Sequence, residues 1–142
     1  MKFVQDKSAG YRIQAYDTDS ITLLVPAALS RQTNPSDDSS GASRQQISHS
    51  LILTNDQLIN DWAPACFAEL QTDHMAPILA LEPELVILGT GATHQFPAPE
   101  IVQALYQANI GFEIMDTAAA CRTFNILVSE GRHVVVALMM MR

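Results

Sequence analysis

Polar and apolar residues alternate from Tyr11 through Arg12, Ile13, Gln14 and Ala15 to Tyr16, the period of a strand with one buried face. The cluster Asp17-Thr18-Asp19-Ser20 marks a turn, and Ile21 to Val25 is a short apolar run closed by Pro26, which has no ladder hydrogen to donate. Arg31 to Gln46 is polar and serine-rich, with Asn34-Pro35 and Ser40-Gly41 as turn signals. It holds too little apolar surface to offset the entropy of ordering, so a mobile loop insertion is expected over 31–46. Ile47 to Thr54 reads as a further strand with Leu51, Ile52 and Leu53 at its core, and Trp62 falls in a loop that ends at Pro64. Thr72 is expected to cap a short helix over Asp73 to Ala80, kinked at Pro77.

The rhythm changes in the second half. Leu85-Val86-Ile87-Leu88 is continuously apolar, as in a strand covered on both faces, and Gly89-Thr90-Gly91 follows at once. Pro99 suits the first turn of a helix that carries Ile101, Val102, Leu105 and Ala108 on one face, with Gly111 as its expected left-handed cap. Phe112 to Met115 is a strand. Asp116 is placed to cap a helix bearing Ala120, Phe124, Leu127 and Val128, which Gly131 ends. His133 to Met140 is a last strand, and its apolar run Val134 to Met141 belongs at the centre of a sheet, because an open edge of that composition invites aggregation. Strand–helix–strand–helix–strand after a β-rich start predicts one α/β domain over residues 1–142. Its expected architecture is three-layered, with a mixed central sheet, flanking helices and a β-rich N-terminal segment.

Composition narrows the function. The 142 residues carry a net charge of −7 with only eight Lys and Arg, which argues against nucleic acid as a partner. The N-terminus has no signal-peptide core, and no stretch approaches a membrane span. Cys66 and Cys121 form no CxxC or Cys/His zinc spacing, so two free thiols in a reducing compartment, hence a cytoplasmic protein, are expected. His49, His74, His94 and His133 match no metal motif, and neither metal nor cofactor is expected.

The candidate chemistry lies at two turns. Gly89-Thr90-Gly91 leaves a buried strand, where α/β sheets bind ligands and glycines admit an anion to backbone N–H groups. The dinucleotide fingerprint is incomplete, since its sixth position is His94, and the Gly-Lys-Ser/Thr ending of a phosphate loop is absent. A structural turn is the competing reading, and the favoured one. Asp116 and Thr117 open a helix whose N-terminus either is simply capped or holds an anion. Arg122 is either an ion-pair partner for Asp116 or Glu113, or an anion clamp. Cys121 lies near the same helix start, where thiols become nucleophilic, but no histidine is close in sequence to serve as base. The crossover from Leu85–Leu88 to Phe112–Met115 through one helix makes these strands parallel, so Gly89 and Asp116 are expected side by side at one end of the sheet. Gly89, Thr90, Gly91, Asp116, Thr117 and Arg122 are therefore the candidate anion site.

Leu85 to Gly91, Pro97 with its helix, Gly111, and Met115-Asp116-Thr117-Ala118-Ala119-Ala120-Cys121-Arg122-Thr123-Phe124-Asn125 together resemble a bacterial and archaeal domain-of-unknown-function family. Its mitochondrial relative is complex I assembly factor 3, and an adipogenesis-associated human protein is similar. The resemblance runs from Ile13 to Met140 and is strongest after Leu81; the 31–46 segment departs from it. It implies a three-layer fold with a mixed sheet; it does not imply an enzymatic reaction. Two functions follow as expectations. One is a non-enzymatic interaction or assembly module with a protein partner; the other is a small-anion or metabolite binder built on Gly89–Gly91 and Arg122. An exposed apolar patch favours the first, and a pocket of converging polar groups the second.

Overall fold

A computed structural model describes residues 10–27 and 43–142. The described residues open with β1 (Arg12–Tyr16), β2 (Ile21–Val25) and β3 (Ser43–Ile47), an antiparallel sheet in that order. The last residues of the expected loop, Ser43 to Gln46, are thus strand, each opposite a residue of β2. The rest of that segment, 31–42, lies outside the described residues. The expected strand from Ile47 to Thr54 is in fact two. β3 ends at Ile47, and after Ser48–Ser50 the chain enters a second sheet as β4 (Leu51–Leu53). Sequence alternation breaks there: β3 is polar and half-exposed, whereas all three residues of β4 are buried.

The second sheet adds β5 (Leu58–Ile59), β6 (Leu85–Gly89), β7 (Gly111–Met115) and β8 (Val134–Leu138) in the order β5–β4–β8–β6–β7. It is mixed: β6 runs parallel to β7 and β8, while β4 is antiparallel to β8 and β5. β8 is central, as its apolar run requires, and every residue in it is buried. The chain between β5 and β6 forms two 3-10 turns, Phe67–Glu69 and Thr72–Met75, and then α1 (Ala76–Leu79). Gln71, not Thr72, caps this stretch: its N–H donates to His74 Nδ1 at 2.9 Å, and the two side chains form a reciprocal capping box. Pro77 sits in the first turn of α1, where a missing N–H is tolerated.

Two helices complete the layers. α2 (Pro99–Gln107) links β6 to β7, and α3 (Thr117–Ser129) links β7 to β8. α2 ends on Asn109 at φ 58°, so this residue, and not Gly111, takes the left-handed position; Gly111 is already in β7. Gly131 at φ 79° follows α3. The alternation of β8 and β6 separates two cores. Val134, Val136, Leu138 and Ile87 face α3, packing with Phe124, Cys121, Val128 and residues Ile13, Ile21 and Leu23 of the small sheet. Val135, Ala137, Val86 and Leu88 face the other side, with Val102 and Leu105 of α2, Ile78 of α1, and Trp62. Trp62 is a core residue whose indole N–H donates to His74 O at 3.0 Å. No helix among the described residues is long and apolar enough to cross a membrane.

Candidate functional site

The two turns meet as connectivity requires. Thr117 N–H donates to Gly91 O at 2.9 Å, Gly91 N–H donates to Thr117 Oγ1 at 2.9 Å, and Thr90 N–H donates to Met115 O at 2.9 Å. Thr117 Oγ1 donates in turn to Met139 O at 2.6 Å, and Met139 N–H donates to Gly89 O at 3.1 Å. One fully buried hydroxyl thus ties the residues just after β6 and β8 to the start of α3. Thr90 Oγ1 donates to Thr93 O at 2.6 Å and accepts from Gln95 N–H at 3.2 Å, closing the loop after β6. The glycines serve this packing. A Cβ on Gly89 would lie 2.8 Å from Leu138 Cδ2, 3.0 Å from Thr117 Oγ1 and 3.2 Å from Ala120 Cβ. Gly91 has φ 101°, which a side chain disfavours.

The N–H groups of Thr90, Gly91 and Thr117 are therefore engaged. Asp116 accepts from Ala119 N–H at 2.8 Å, the expected N-cap. Arg122 does not turn towards Gly91; its Nη1 donates to the Tyr16 hydroxyl at 2.8 Å, on the side of the small sheet. It is paired neither with Asp116 nor with Glu113, the two carboxylates expected for it. The geometry places Gly89–Gly91 and Asp116–Thr117 together but leaves Arg122 outside the group, and it lends the small-anion reading no support.

Cys121 is buried at the sheet side of α3. Burial pushes its thiol up to about 12; the nearby Arg122 charge pulls the other way, and Asp116 adds to the rise. A thiol held neutral in this way is no nucleophile at neutral pH. We expect one thiol per native chain, Cys66, which is exposed, to react with Ellman's reagent, and two after denaturation. An unfolded thiol ionises near its ordinary value of 9.0. Cys121 therefore stabilises the fold fully below pH 9.0 and loses that contribution as pH rises towards about 12. A denaturation midpoint that stays flat in this window for wild type and falls for Cys121→Ala would contradict this.

The motif after Met115 holds one tie that sequence reasoning missed. Asn125 Nδ2 donates to Ile13 O at 2.8 Å, and Ile13 N–H donates to Asn125 Oδ1 at 2.9 Å. Among the described residues β1 is an edge strand, with an irregular register between Ile13 and Ala15. The carboxamide supplies the donor and acceptor that a neighbouring strand would provide, and so fastens α3 to the small sheet.

A different surface is open. A groove of about 390 Å3 lies between α2 and β7, lined by Phe96, Pro99 and Tyr106 on one side and by Phe112, Glu113 and Ile114 on the other. Phe96 is 76% exposed and Tyr106 67%. Tyr106 meets Phe112 edge to face at 5.0 Å, and Phe96 meets His94 at 4.5 Å. Glu113 is the only charged residue lining the groove among the described residues, and neither the glycine loop nor Arg122 borders it. The sequence signal was faint: Tyr106 lies beside the apolar face of α2, and Phe96 stands alone before Pro97.

Fold and site together define an α/β domain whose glycine and hydroxyl motifs lock helix to sheet, with an apolar groove at one sheet edge. The chain belongs to the family described as protein of unknown function (DUF498/DUF598), whose model matches residues 36–139. It is 32% identical over 95 residues to the 13 kDa major membrane protein of Francisella tularensis, covering 63% of this chain and 73% of that one. To NADH dehydrogenase [ubiquinone] 1 alpha subcomplex assembly factor 3 of Mus musculus it is 35% identical over 78 residues, 54% of this chain and 42% of the relative. The chain thus spans less than half the length of that assembly factor. Among solved structures, a Xanthomonas campestris protein superposes with a TM-score of 0.71 at 32% identity, covering 96% of this chain and 89% of the other.

Proposed function

We propose that this chain is a non-enzymatic, protein-binding module that acts in the assembly of a larger complex. The observation that carries the proposal is the groove between α2 and β7, with Phe96 and Tyr106 exposed beside it. Large exposed aromatics clustered at a concave apolar surface are the usual anchors of a protein interface. The assembly factors among its relatives support the second half of the reading. The reducing cytoplasm is its proposed location, and its acidity turns it away from nucleic acid.

The test is recovery of the tagged chain from its own cells after brief crosslinking, beside a Phe96→Ser/Tyr106→Ser variant. Wild type is expected to bring down one protein in stoichiometric amount, and the variant to lose it while its melting temperature stays within about 2 °C, as for surface changes. A chain recovered alone, whose melting temperature rises saturably with a small metabolite, would overturn the proposal.

A further inference from the structure

β7 has a strand neighbour on one side only among the described residues. Thr90 N–H reaches Met115 O from the β6 end, so the carbonyl of Met115 faces β6. Strand alternation puts Gly111 and Glu113 on that side too and turns the N–H and C=O groups of Phe112 and Ile114 outward. His94 shows this directly, for its Nε2 meets Ile114 O at 3.0 Å. That bond comes from an exposed loop side chain. Phe112, Glu113 and Ile114 of this edge strand line the same groove that Phe96 and Tyr106 border.

Resting on the interaction-module reading above, we infer that β7 accepts an extended segment of a partner protein as a sixth strand. The segment's alternate apolar side chains fill the groove against Phe96, Tyr106 and Phe112, and its Lys or Arg residues lie opposite Glu113. Strand addition fits because the edge has no strand partner among the described residues and lies beside an apolar groove, the two elements that such recognition uses. Charge selects the partner. Glu113 is exposed at the middle of β7, Glu100 is exposed on the first turn of α2, and the chain carries −7 overall. A second copy in the centred antiparallel register sets Glu113 against Glu113, a directly opposed like pair that destabilises a ladder. A basic segment has no such cost. His94 releases Ile114 O as the segment enters.

The experiment uses the full chain against a random peptide library displayed on phage, followed by amide exchange with the selected peptide. We expect enriched sequences in which apolar residues alternate and Lys or Arg recur. Bound peptide slows exchange at Phe112 and Ile114 by roughly tenfold or more and leaves Glu113, already bonded towards β6, unchanged. N-methylation of alternate peptide bonds abolishes binding, Tyr106→Ser weakens it by about tenfold, and Glu113→Lys reverses the charge preference while the melting temperature is kept. Enrichment of sequences with apolar residues three and four apart, or binding with Phe112 and Ile114 exchange unchanged, overturns strand addition. So does protection of the edge by self-association, or by vesicles of phosphatidylcholine and phosphatidylglycerol in place of peptide. If the groove variant loses its cellular partner while the exchange pattern fails, the module reading stands and strand addition falls; if the partner is retained, both fall.

Discussion

Thr117→Val is expected to destabilise the chain by about 2–5 kcal/mol with almost no change in side-chain volume. The hydroxyl accepts from Gly91 N–H and donates to Met139 O, and Thr117 is fully buried. Valine leaves both backbone groups unpaired away from water, and each orphan costs about 1–3 kcal/mol. Total stability of a domain this size is about 5–15 kcal/mol, so a large part of it hangs on one oxygen. Thr117→Ser keeps the oxygen and is expected to retain most of the stability. Urea denaturation of the three chains measures this. A valine variant within about 0.5 kcal/mol of wild type, the range of ordinary surface changes, would mean that water or a backbone shift replaces the tie.

Asn125→Leu is expected to cost about 2–4 kcal/mol by the same reasoning, but with a different spatial pattern. Its carboxamide serves Ile13 N–H and C=O and nothing in the five-stranded sheet. The loss therefore falls first on β1 and its partner β2, and exchange protection at Ile13, Leu23 and Ile21 should drop before that at Ile87 or Val136. Uniform loss across both sheets would show that the two unfold as one unit and that Asn125 is not a local fastener.

The central layer was legible because its signals are strong and local. Runs such as Leu85–Leu88 and Val134–Leu138 have one stable placement, covered on both faces, and Asp116 and Gly131 bracket α3 by chemistry that depends on a few residues. The parallel pairing of β6 with β7, and with it the meeting of Gly89 and Asp116, followed from crossover handedness. What failed depended on tertiary partners. The split at Ser48–Ser50 is made by a change of sheet that no local pattern marks. Asn109 and Gly111 are both plausible left-handed residues, and only the start of β7 decides between them. At the candidate site the contacts are likewise tertiary: Thr117 and Ala120 crowd Gly89, and Arg122 reaches Tyr16 across the fold. The groove was the least legible feature, since it arises where residues from Phe96 to Ile114 come together in space and no motif spans them.

Function is proposed to reside at the α2–β7 edge, with the glycine loop in a structural role. Backbone amide shift mapping of the 15N-labelled chain, titrated with the partner recovered by crosslinking and separately with phosphate and acetate, tests it most directly. Partner-induced shifts are expected to concentrate at Phe96, Tyr106, Phe112 and Ile114, with Gly89–Gly91 and Arg122 silent in every titration. Saturable shifts centred on Gly91, Thr117 and Arg122, with a silent groove, would contradict it.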